Sequence, residues 1–179
     1  MKAISLLQPY ASLVLAGLKP FETRTWPTDY RGDILIVSSK GHIDVNMRSE
    51  RVLSKVLKAN RRKIQEFTDG PKGVMLCVAK LVRIRRMQPQ DAYKACIQFP
   101  IMGNIKYVWQ LEDIRPVVQK PVKGALRLFE VPDSKIEYIN CCKQCLKQLP
   151  EPQCFCDERC LGKYDSIINE SYELQLKLF

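Results

Sequence analysis

Histidine is almost missing from this chain: its 179 residues include one, His42. A metal site assembled from residues close in sequence would therefore have to be built from thiolates. Long apolar runs are missing too. Nothing approaches the roughly 18 consecutive apolar residues of a membrane-spanning helix. The opening MKAISLLQPY has one lysine and a short apolar run that Gln8, Pro9 and Tyr10 cut off, without the length or cleavage site of a secretory signal. These absences lead to the expectation of a cytoplasmic protein with no membrane partner. Acidic residues are scarce as well, 19 Asp and Glu against 29 Lys and Arg, for a net charge of +10. With 46% hydrophobic and 27% charged residues the composition is that of a globular chain, so disorder is not the starting assumption.

The positive excess is local. Residues 48 to 63, RSERVLSKVLKANRRK, carry Arg48, Arg51, Lys55, Lys58, Arg61, Arg62 and Lys63 against Glu50 alone. A second cluster, KLVRIRR, supplies Lys80, Arg83, Arg85 and Arg86. Clustering favours a face for a polyanion over uniform solvation, and the first cluster is the candidate for nucleic-acid backbone contacts.

Hydrophobic periodicity outlines the elements. KAISLL reads as a strand, Gln8 to Gly17 as a helix stopped by its glycine, and FETRTW and GDILIVSS as two more strands. Residues 44 to 67 fit one helix, with Val45, Val52, Leu53, Val56, Leu57, Ile64 and Phe67 near one face and the basic residues mostly opposite. GVMLCVAKLVRIR is the central strand, DAYKACI a short helix, and KYVWQLEDIRPVV and GALRLFEVP the closing strands. Some six short strands with two or three helices predict an α+β domain: a small, strongly curved sheet or barrel with helices packed outside. Composition shifts after Pro132, which separates residues 1–132 from a C-terminal extension, 133–179.

That extension holds six of the eight cysteines in CCKQCLKQLPEPQCFCDERC. Disulfides are disfavoured in a reducing compartment, and the spacings do not match common iron–sulfur patterns. The expectation is a structural zinc site on Cys142, Cys145, Cys156 and Cys160, whose C-x2-C and C-x3-C pairs can form two short turns on one ion. Cys77 and Cys96 stand in apolar contexts and read as buried.

The stretch AGLKPFETRTW gathers Lys19, Glu22 and Arg24 within six positions. Strand alternation puts Glu22, Arg24 and Trp26 on one face. GLKPFETR resembles the G-x-K-x-x-E-x-R signature of the ASCH family, through Gly17, Lys19, Glu22 and Arg24. SLLQPYASLVLAG is similar to the family's opening, RGDILIVSSK to its following strand, and YVWQLEDIRPVVQKPVKGALRLF to its closing strands. The resemblance covers roughly residues 1–132 and implies a small PUA-like β-barrel with flanking helices and a cleft suited to RNA or a nucleotide. It implies that Lys19, Glu22 and Arg24 line this cleft, near Gln8, Tyr10, Trp26, Ser39 and Lys40. Two cations and one carboxylate leave one positive charge for a phosphate, and Tyr10 or Trp26 can stack on a base. The alternatives are a hydrolase on modified nucleosides or RNA, with Lys19 and Glu22 as a proton-transfer pair, and a zinc-dependent module that docks a protein partner. The hydrolase pattern wants a threonine where this chain has Glu22.

Overall fold

The computed structural model describes residues 1–41, 47–98 and 107–139. Compactness separates Met1–Glu137 from Tyr138–Phe179; the cysteine segment, with Cys142, Cys145, Cys156 and Cys160, lies outside the described residues.

Six strands, β1 (Lys2–Leu6), β2 (Phe21–Arg24), β3 (Gly32–Ser38), β4 (Met75–Arg86), β5 (Tyr107–Pro116) and β6 (Leu128–Glu130), form one mixed sheet in the order β2-β5-β4-β3-β1-β6. β1 and β3 are parallel, while the other neighbours are antiparallel. β4 explains the curl. Its first half is buried on both faces; Met75 to Leu81 pair with β3, while Cys77 to Arg86 pair with β5, with irregular register between Val78 and Lys80 and between Leu81 and Arg83. Such irregularities increase local twist and coil a long strand around the core.

The curl brings the two edges of the sheet together. β6 covers β1 only as far as Ile4. Beyond it, the Arg24 side chain at the far edge donates from Nη2 to the Ser5 carbonyl at 2.9 Å. Side chains thus close a seam that strand pairing leaves open. The outcome is a curled, barrel-like sheet with few helices, as the alternating patterns predict.

Helix α1 (Tyr10–Leu15) covers the concave face: Ala11 and Val14 pack with Ile4, Ile34, Ile36, Ala79, Leu81 and Trp109. Its opposite side, through Leu13, meets Leu53, Val56 and Leu57 of α2 (Met47–Ala59) and Phe67 of α3 (Gln65–Thr68). The single helix expected over 44–67 is therefore two. Asn60 donates from its side chain to the Val56 carbonyl, Arg61 turns left-handed at φ 52°, and the Arg62 amide bonds back to Leu57. These bonds satisfy the last carbonyls and end α2 one turn before Ile64.

Two other expectations need correcting. DAYKACI is not a regular helix: a 3-10 turn at Pro89–Asp91 opens a series of turns that ends at Cys96, φ 54°. Of GALRLFEVP only Leu128–Glu130 joins the sheet, because Arg127, at φ 58°, breaks the extended backbone. Cys77 and Cys96 are buried as expected; burial pushes the Cys96 thiol up to about 11 and that of Cys77 higher still.

Candidate functional site

The seam is built from the end of α1 onward. Gly17 takes φ +72° and closes the helix with bonds from Gly17 to Val14 and from Leu18 to Leu13. Among the described residues no neighbour lies within 4 Å of a Cβ placed on Gly17, so its role is conformational. The next turn carries Lys19 inward, where it is 2% exposed. Its ammonium donates to the Phe21 carbonyl at 2.5 Å, pairs with Glu22 Oε2 at 3.1 Å, and stands 5.5 Å from the Tyr10 ring centre. Glu22, also buried, reaches Arg24 Nη2 through its other oxygen at 3.5 Å.

Burial pushes the Glu22 carboxyl up. The Lys19 and Arg24 charges, with hydrogen bonds from Lys19 and the Thr23 backbone, outweigh that and hold it below the ordinary carboxylate value. A carboxylate kept ionised by two cations suits anchoring better than proton donation. The three signature side chains do converge, but unequally: Lys19 and Glu22 lie beneath, and Arg24 is the one that solvent reaches.

Register places further groups beside them. Arg24 faces Tyr107 on β5, and Tyr107 faces Arg86 on β4, so two arginines flank one tyrosine in a row across three strands. In the next row Glu22 faces Trp109, and Trp109 faces Ile84. Trp26 meets Trp109 edge-on at 4.8 Å and 87°, and the Arg127 guanidinium lies 5.8 Å from the Trp26 ring centre. Two N–H donors here are buried with no acceptor among the described residues, Arg24 Nε and Trp109 Nε1. Buried donors are nearly always satisfied, so this pair stands out among the polar atoms of the seam.

The remaining expected residues scatter. Gln8 is consumed by structure: its amide donates to the Pro71 carbonyl at 2.9 Å and accepts from the Ser12 amide at 3.1 Å. The Ser39 backbone amide bonds to the Leu6 carbonyl, while the Lys40 stem packs beside Gly73. On α2, Arg51, Lys55 and Lys58 are exposed on one stripe opposite Leu53, Val56 and Leu57. Arg48 belongs to the same helix by its backbone. Arg61 is exposed just after it, and Arg62 is tied to Glu66 at 2.6 Å. In the second cluster, Arg85 is spent on buried Asp91 through two bonds of 2.6 Å, leaving Arg83 and Arg86 exposed.

Sequence alone does not single out Tyr107, Arg86 and Arg127 as site residues. Alternation along YVWQL puts Tyr107 and Trp109 on one face, but which arginines oppose them is a matter of strand register.

The ASCH domain model matches residues 4–125. This chain belongs to the ASCH family. Among curated proteins it is 31% identical over 139 residues to activating signal cointegrator 1 of Mus musculus, covering 74% of this chain and 22% of that protein. It is 28% identical over 145 residues to the Homo sapiens protein of that name, covering 69% and 24%. This ASCH chain thus corresponds to about a quarter of the length of those relatives. Among solved structures, a mutant ZmASCH protein from Zymomonas mobilis matches at a TM-score of 0.46 and 13% identity, covering 75% of this chain and 91% of that one.

Proposed function

We propose that this ASCH domain binds single-stranded RNA at the seam, with Arg24 as the contacting cation and Lys19 and Glu22 as its support. ASCH domains are generally thought to bind RNA, and the observation that carries the reading here is the pair of buried N–H donors with no acceptor among the described residues, Arg24 Nε and Trp109 Nε1. Both await an acceptor, which a phosphate or a base carbonyl supplies. Arg24, Tyr107 and Arg86 alternate cation and ring, the composition that lets a groove hold phosphates and stack bases. The ion pairs of Glu22 fix Arg24 in advance, so little side-chain freedom is lost on binding. Exposed Arg51, Lys55 and Lys58 supply further backbone contacts.

An anisotropy titration with short single-stranded RNA tests this. Arg24→Ala should weaken binding about tenfold or more, the worth of a lost charge-assisted hydrogen bond, while circular dichroism stays native. Equal affinity for variant and parent would remove the seam as the site. Repeating the titration over a salt series tests the helix. Replacing Lys55 and Lys58 by Gln should flatten the log–log slope by about 0.7 for each phosphate left without its cation.

The cysteine segment is proposed to bind one structural zinc through Cys142, Cys145, Cys156 and Cys160, and the protein to work in the cytoplasm, where thiolates stay reduced.

A further inference from the structure

We propose that Trp26 and Arg127 form a clamp for a single nucleobase, which slides between indole and guanidinium. The inference rests on the RNA-binding reading of the seam and names the subsite that takes a base. Trp26 is held from below by its edge-on contact with Trp109. Its other partner is the flat cation of Arg127. A planar group of opposite character on each side is the arrangement that suits an aromatic base.

For the base to enter, the segment bearing Arg127 has to carry that cation outward. Residues 123–127 are exposed, and Leu126 is 93% exposed. The segment is anchored at both ends. At one end, Gly124 lies so close to Ser5 that an added Cβ would stand 2.5 Å from its Oγ; at the other, Leu128 enters β6. Between the anchors Arg127 sits in the left-handed region, φ 58°, which a non-glycine residue adopts at a cost. A cation–π contact at a solvent-exposed position is weaker than the stacking of a base on an aromatic ring, so a base displaces the guanidinium outward at little expense. Arg127 then covers the base from above, and Leu126 beside it gives the clamp an apolar edge. The chain on either side of the clamped base runs toward Arg24 and Arg86, whose charges fit its phosphates.

The test uses the full chain with a short uridine homopolymer and the same backbone without bases. Trp26 and Trp109 are the only tryptophans, so emission reports on the subsite, and Trp26→Phe assigns the signal. The homopolymer should quench emission, and the abasic strand should bind about tenfold more weakly with no quench. Arg127→Lys, which keeps the charge and loses the plane, should weaken the homopolymer about fivefold, leaving the abasic strand and the salt slope unchanged. Homopolymer binding that is indifferent to Trp26→Phe and Arg127→Lys, or loss of both strands in equal measure, overturns the clamp while leaving the seam reading intact. Failure of the parent protein to bind either strand overturns both.

Discussion

Glu22 shows how a buried charge is made tolerable and useful. Burying a carboxylate alone is costly, but this one is met by an ammonium at 3.1 Å and a guanidinium at 3.5 Å. Removing it would leave Lys19 buried with its carbonyl and ring contacts but no counter-charge among the described residues. Glu22→Gln should therefore cost about 3–5 kcal/mol at neutral pH in urea denaturation. Its folded-state carboxyl titrates below the ordinary value. The stability it contributes is present above that ordinary value and is lost as the pH falls through the folded one. Parent and variant should therefore converge in acid. A gap that stays constant from neutral to acid pH would mean that Glu22 acts by shape alone. The lysine and the carboxylate are legible as a cluster in GLKPFETR. Their burial is not, because nothing in a period-two pattern says which strand face the sheet will curl around.

Helix endings give the clearest contrast between what a chain announces and what it hides. α1 and α2 finish with the same pair of backbone bonds, Leu18 to Leu13 with Gly17 to Val14, and Arg62 to Leu57 with Arg61 to Lys58. One uses Gly17 at φ +72°, and the glycine announces the stop. The other uses Arg61 at φ 52°, and the helical pattern runs straight through it to Phe67. The apolar spacing of Ile64 and Phe67 continues that pattern because α3 packs on the same cluster as α2. Arg61→Gly should raise stability by about 1 kcal/mol, and Gly17→Ala should lower it by about 1–2 kcal/mol, from the left-handed penalty on a residue with a Cβ. Thermal melts of the two variants check this: shifts of opposite sign are expected, and a destabilised Arg61→Gly would mean the arginine side chain contributes more than its backbone costs.

For the molecule as a whole, net charge sets the behaviour toward other macromolecules. A net charge of +10 draws a polyanion to the surface from a distance, and the stripe of Arg51, Lys55 and Lys58 gives that attraction a direction. No described helix is long and apolar enough to cross a membrane. The C-terminal cysteines make a separate forecast. Elemental analysis of purified protein should find about one zinc per chain, and replacing Cys156 and Cys160 by serine should remove it. Protein that is metal-free after reduction and mild purification would leave the thiols without that role.

The order of strands along the chain and the position of α1 can be read from local pattern, since alternation and helical spacing are properties of neighbours in the chain. So can the signature residues and the burial of Cys77 and Cys96. The chain alone cannot say that β6 stops at Ile4 and lets Arg24 complete the edge of β1, that Asp91 takes Arg85 out of the basic cluster, or that Arg127 lands on Trp26. Apart from the Arg85 pair, each of those joins residues far apart in sequence. Their meeting depends on the register and coiling of the sheet, which follow from packing the whole core at once.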